Sequence, residues 1–219
     1  MKNCRFKTGF TLVEMLIVIG IIAVLASMVI GIASRIGTQA KEQLAENTFE
    51  LINAALGQFH DYGYNYKDSD YDGFDFPLDC NGFSESDLKD ELEKALDVTV
   101  VIGGGVHDAN YSGSEALYFF LSRVPECRQT LEKIDGSLMT DKGSDKQPIN
   151  ITIYFGGEAR VYQLLRLVDP WGRTLRYSYY ENDHEDSDEP DIGERRNFPL
   201  ITSAGPDGVF GTRDDITNR

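Results

Sequence analysis

Between Phe10 and Ala33 the chain carries a single ionisable side chain, Glu14, in an otherwise apolar or small-residue run. As a helix this run is roughly 36 Å long at 1.5 Å per residue, against a hydrocarbon core of about 30 Å. Lys2, Arg5 and Lys7 precede it, and a positive flank stays on the cytoplasmic side. The run therefore predicts a transmembrane helix over residues 10–33, with the remainder of the chain beyond the cytoplasmic (inner) membrane.

Glu14 is the residue that needs an explanation. Near the centre of a membrane helix a carboxylate costs about 2.5–3.5 kcal/mol, so a partner at the same depth is expected. Cleavage between Gly9 and Phe10 would create one, an α-amino group four residues from Glu14. The amine of one copy could meet the Glu14 of a neighbour, and a bundle of such helices would neutralise both charges. Two other readings compete. A secretory signal could be cut after Ala33, but the apolar run exceeds the usual h-region of about 7–15 residues and contains a Glu. A plain one-pass anchor would leave Glu14 incidental.

The stretch Gly9-Phe10-Thr11-Leu12-Val13-Glu14, with basic residues before it and an uninterrupted apolar run after it, resembles the type IV filament superfamily of pilins and pseudopilins. The resemblance implies a leader, residues 1–9, removed after Gly9 by a prepilin peptidase and N-methyltransferase. It implies a methylated Phe10 and makes Glu14 the assembly glutamate. The partners it implies are further copies of the chain, other pilin-like subunits, the membrane and a secretion or pilus assembly machinery.

Charge limits the remaining choices. The formal balance is −15, and three of the 21 basic residues lie in the proposed leader. Such a surface argues against nucleic acid or anionic lipid as a ligand. Dense carboxylates instead suit solvent or hard cations. Of three cysteines, Cys4 would leave with the leader. Cys80 and Cys127 can form one bridge or remain two buried thiols.

After the apolar run the helical period continues. Leu44, Thr48, Leu51, Ile52, Ala55, Leu56 and Phe59 recur at spacings of three and four, and no proline interrupts residues 10–60. Residues 34–63 are thus read as the amphipathic continuation of one long spine helix, closed by Gly63. Residues 64–148 are read as an inserted variable region. In it, Leu88, Leu92, Ala95 and Leu96 mark a helix, Val98–Ile102 a strand ended by Gly103-Gly104-Gly105, and Ser114 caps a second helix carrying Leu117, Phe120, Leu121 and Val124. A polar loop follows from Asp135 to Pro148. From Ile149 the period becomes two, predicting strands over 149–155, 159–167, 175–180 and 198–203. The expected fold class is α+β and pilin-like: a long N-terminal helical spine packed on a small antiparallel sheet, residues 149–219.

Two further stretches carry the resemblance toward one branch. Asp169-Pro170-Trp171-Gly172-Arg173 followed by Leu175-Arg176-Tyr177, and the C-terminal Ser203-Ala204-Gly205-Pro206-Asp207-Gly208 with Gly211 and Asp214-Asp215-Ile216, resemble the major pseudopilins of type II secretion. In that family the C-terminal loop binds calcium, which makes Asp207, Asp214 and Asp215, with the Ser203 carbonyl, the candidate Ca²⁺ ligands. The residues agree: several carboxylates between tight Gly turns can supply oxygens to one hard cation. Asp68, Asp70, Asp72 and Gly73 also fit the start of an EF-hand loop, but its twelfth position is Asp79 in place of Glu, so a solvated acidic loop is preferred. His60, His107 and His184 are scattered, and no hydrolase, zinc-protease or P-loop motif is present. The chain reads as a structural subunit that performs no chemistry. A type IV pilin, a minor pseudopilin, or a membrane-tethered calcium-dependent binding module are the alternatives.

Overall fold

The computed structural model describes residues 11–65, 76–77, 80, 88–179 and 198–219, without the side chains of 28–35, 64–65, 91 and 94–95. Proline-free from its start, the chain forms one helix, α1, Leu12–Asn65. It runs two residues past Gly63, the expected stop. The chain divides into two compact units at Lys41, within this helix.

In the first unit the described side chains of 11–27 are all exposed, Leu12 to 82% and Leu16 to 66%. Among the described residues no helix is long and apolar enough to cross a membrane. The described side chains at this end of α1 stop at Ser27 and resume at Ile36, so the span expected over 10–33 extends past them at both ends.

In the second unit the spacing of four and three reappears as a buried stripe, Ala45, Phe49, Ile52, Leu56 and Phe59. Each large member stabilises the unit by about 1.5–3 kcal/mol relative to exposure. The helix marked by Leu88 and Leu92 is α2, Leu88–Leu96, with both residues fully buried. Strand β1, Thr99–Gly104, includes two of the three glycines expected to end it. The third, Gly105, permits a close approach: its amide donates to Pro148 O at 2.8 Å, and a Cβ on it would lie 2.4 Å from Gln147 O.

Ser114 does not cap the next helix. Helix α3 is Ser112–Leu121, and Ser114 is buried inside it, where its hydroxyl donates to Leu167 O at 3.1 Å. The hydroxyl found a backbone partner across the core, so its capping preference was overruled. Val124 also falls outside α3; it precedes an unexpected short helix, α4, Pro125–Leu131, with Pro125 in the first turn where its missing N–H costs nothing.

The alternating Ile149, Ile151 and Ile153 form the buried face of β3, Ile149–Phe155. β3 pairs antiparallel with β1 on one side and with β4, Glu158–Gln163, on the other. The supposed insertion thus supplies a strand of the same sheet as 149–163. Among the described residues the strands form three small sheets in place of the single one expected. The predicted strand 159–167 breaks after Gln163, because Arg166–Leu167 (β5) pairs instead with an unforeseen β2, Met139–Thr140. The third sheet is β6, Arg176–Ser178, with β7, Leu200–Ser203, and β8, Ile216–Thr217.

Cys80 and Cys127 are not bridged to each other: both are buried, and their thiols are directed at different carbonyls, Ser112 O at 3.7 Å and Ala55 O at 3.2 Å. Burial, and secondarily the Glu126 charge, pushes the Cys127 thiol up to about 12.

Candidate functional site

Gly9 and Phe10 lie outside the described residues. Next to them, Thr11 and Glu14 form a reciprocal cap on α1. The Thr11 amide and hydroxyl donate to Glu14 Oε2 at 2.8 and 2.9 Å, and the Glu14 amide donates to Thr11 Oγ1 at 3.2 Å. Glu14 therefore occupies the first turn of the helix, and the expectation of a carboxylate near the helix centre is corrected. The pattern T-x-x-E before an apolar run is a capping-box signal that the sequence displays. Both bonds fall on Oε2, which leaves Oε1 outside the cap.

The two C-terminal motifs meet in the second unit. Asp169, 2% exposed, is the hub. Its Oδ1 accepts from the amides of Trp171 and Arg173, both at 2.9 Å, which folds the Pro-Trp-Gly turn back on itself. Its Oδ2 accepts from the hydroxyl of Ser203 at 2.8 Å, on β7. That hydroxyl in turn accepts from the Gly205 amide at 3.2 Å. Arg173 leaves the turn and places Nη1 2.5 Å from Gly205 O and Nη2 3.4 Å from Pro206 O. From β6, the Arg176 guanidinium lies 3.7 Å from the Phe210 ring centroid. The loop's approach also demands glycine: Gly208 has φ +75°, and a Cβ there would lie 2.2 Å from Arg173 Cζ.

The three candidate carboxylates cap the loop's own backbone. Asp207 Oδ1 accepts from the Val209 amide at 2.8 Å, Asp214 Oδ2 from the Asp207 amide at 2.9 Å, and Asp215 Oδ2 from the Gly211 amide at 2.7 Å. The Thr212 hydroxyl, foremost, and the Asp207 amide hold the Asp214 carboxyl below its ordinary range. Among the described residues no three His, Cys, Asp or Glu side chains converge as a metal cluster. One observation fits a cation: Asp215 Oδ1 is buried and accepts no hydrogen bond. With an all-oxygen donor set, the loop's chemistry suits Ca²⁺, for which Asp215, Asp207 and Asp214 are the carboxylates at hand. The Ser203 hydroxyl is committed to Asp169. Asp68, Asp70, Asp72, Gly73 and Asp79 of the EF-hand-like stretch lie outside the described residues.

Sequence reasoning missed the polar groups that lock this corner and the insertion in place. Asn218 bonds Asn53 of α1 at 2.6 Å and the Ile201 amide at 2.9 Å, tying the C-terminus to the helix. His107, set aside as scattered, lies 2.6 Å from the fully buried Glu115 of α3. Arg166 of β5 completes the cluster, 4.0 Å from Glu115, with its Nε donating to Thr174 Oγ1 at 3.1 Å. Single polar residues carry no periodicity, so no pattern announces them.

Residues 4–30 match the family model of the prokaryotic N-terminal methylation motif. The match supports a type IV prepilin-like protein and a prepilin peptidase substrate signal. No curated protein and no solved structure matches the chain.

Proposed function

We propose that the chain is made as a prepilin-like precursor, cut after Gly9 and methylated at Phe10, whose mature form polymerises through its N-terminal helix as the core subunit of a type II secretion pseudopilus. The match over residues 4–30 carries the coarser part of this reading. The apolar face exposed from Leu12 to Leu25 agrees with it, since a surface of that kind needs lipid or other helices to cover it. In the membrane the single-pass helix holds the precursor with its N-terminus cytoplasmic. In the filament, the new amine of one subunit pairs with Glu14 of another.

The choice of a secretion pseudopilus rests on the likeness of Asp169–Arg173 and Ser203–Asp215 to major pseudopilins. That these two stretches form one hydrogen-bonded corner supports reading them together. In this reading the corner holds Ca²⁺, which supplies positive charge to a loop of carboxylates and fixes its conformation. The chain performs no chemistry; the filament acts as a piston or plug. A minor pseudopilin or surface pilin is favoured by a specific feature, the strand that the insertion contributes to the sheet with β3.

Mass spectrometry of the N-terminus of protein purified from its native membrane tests the reading. A peptide beginning with methyl-Phe10 is expected. An intact residue 1, or a start after Ala33, overturns it.

A further inference from the structure

We propose that the outward face of the sheet formed by β1, β3 and β4 is a contact surface for a second copy of this chain. The inference rests on the filament reading above, and it names where neighbouring copies meet outside the N-terminal helix.

The face follows from the strand register. Val101, Thr152 and Val161 lie directly opposite one another across the three strands, and so do Thr99, Tyr154 and Ala159. Residues in register share a face, and successive residues of a strand alternate between faces. The alternate set includes Val100, Ile151 and Ile153, which are buried. The two rows therefore lie on the opposite, outward side. Val161 is 66% exposed, Val101 48% and Tyr154 40%, with Thr152 half-buried among them. Not one of the six is charged, in a chain where charged residues make up 26%. The next row, from Gly103 to Gln163, is uncharged as well. The solvated face of an antiparallel sheet is ordinarily the polar one; here its centre is valine, threonine and tyrosine. At the hairpin end, Thr99, Tyr154 and the Gly156-Gly157 turn border an open hollow of about 540 Å³, with room for a side chain from outside.

Charge and area identify the occupant. Two copies of a chain with a formal charge of −15 repel wherever their acidic surfaces approach. A charge-free face lets such copies touch without bringing like charges together. Strands about 4.8 Å apart, rising about 3.3 Å per residue, make this face about 300 Å² in extent. A stable complex buries about 800 Å² on each partner. The face is therefore too small to capture a free protein, and it suits a partner already held nearby. In the filament reading that partner is a neighbouring copy, gathered by its N-terminal helix to a high effective concentration.

The test uses the full chain in its native membrane, scoring filament yield and the N-terminus in parallel. Val161→Lys and Val101→Lys place a charge at exposed positions on two strands. Both should keep the wild-type urea midpoint in detergent and the methyl-Phe10 start. Filament yield should fall by about tenfold or more, because an unpaired charge is then carried into the contact. Val161→Thr keeps the face neutral and should assemble as wild type does. Val161→Cys carrying a benzophenone maleimide should cross-link within filaments to a second copy of the chain; this arm does not depend on either lysine variant folding. Wild-type yield from both lysine variants overturns the proposal, as does a cross-link to a different protein or to none. A wild-type chain without the methyl-Phe10 start removes the filament reading and this contact with it. A methylated wild type whose lysine variants assemble equally well removes the sheet contact alone.

Discussion

Asp169 and Ser203 are joined by a 2.8 Å hydrogen bond between Oδ2 and Oγ, with both residues withdrawn from solvent. A buried carboxylate is tolerated only when its acceptor capacity is met. Here the Trp171 and Arg173 amides meet the other oxygen. The bond therefore connects a turn to a strand more than thirty residues later, and the acidic loop departs from that strand.

Asp169→Ala should destabilise the domain by about 3 kcal/mol or more, because three donors lose their acceptor at once. Ser203→Ala should cost about 1–2 kcal/mol, since Asp169 retains two amides. The double variant should show a coupling energy of at least about 0.5 kcal/mol in urea unfolding. Strictly additive losses would mean that the two residues act independently.

Gly9→Leu should block processing, since a peptidase cutting beside a membrane helix needs a small residue there. Recovery of a mature chain starting at Phe10 from this variant contradicts the assignment.

Glu14→Gln separates two roles of Glu14. Glutamine can keep the capping box with Thr11 but carries no charge. Membrane insertion and helix formation should persist, while filament yield collapses for want of a partner to the neighbouring amine. Glu14→Leu should insert at least as well and also fail to assemble. Normal filaments from the glutamine variant refute charge pairing.

The Cys127 thiol keeps its proton to about 12 in the folded chain, against an ordinary value of 9.0. Between those values the unfolded chain binds fewer protons than the native one, so stability falls as pH rises. Urea midpoints should decline from pH 8 to 10.5 in wild type, and less in Cys127→Ala. Iodoacetamide at pH 8 should label Cys127 only after unfolding, and the unfolded, unreduced chain should then take label at both Cys80 and Cys127. A disulfide-linked peptide joining Cys80 and Cys127 would instead establish the bridge.

Periodicity made the buried stripe of α1 and the alternating isoleucines of β3 legible, because each repeats along one face. The division into three sheets was hidden, since β2 and β5 are two residues each and no two-residue strand has a period. At the site, the motif residues were legible as types, and their connections were not. In the sequence Arg173 is only the end of a motif, yet its side chain reaches Gly205 and Pro206. At Ser203 the expectation concerns the carbonyl, and no pattern marks the hydroxyl, which bonds Asp169. Thr11 could have been read, as the fourth residue of a T-x-x-E box counted back from Glu14.

Calcium should stabilise the full chain in detergent by RT ln(1 + [Ca²⁺]/Kd), about 2.7 kcal/mol at a hundredfold excess over Kd. The reason lies in Asp215. Its Oδ2 is bonded to the Gly211 amide while Oδ1 is buried without a donor, and a buried acceptor left unmet costs about 1–3 kcal/mol. A cation at Oδ1 removes that cost and offsets the repulsion among Asp207, Asp214 and Asp215. Asp215→Asn should therefore lose the calcium increment, and its amide can serve as a donor as well as an acceptor, so stability in EGTA should hold or rise. Asp207→Ala should also lose the increment, but with lower stability in EGTA, because the Val209 amide loses its cap. Magnesium should stabilise weakly, since it holds its waters in a small octahedral shell. Melting curves of the wild-type chain that coincide in calcium and in EGTA would remove calcium from the account, whatever the variants do.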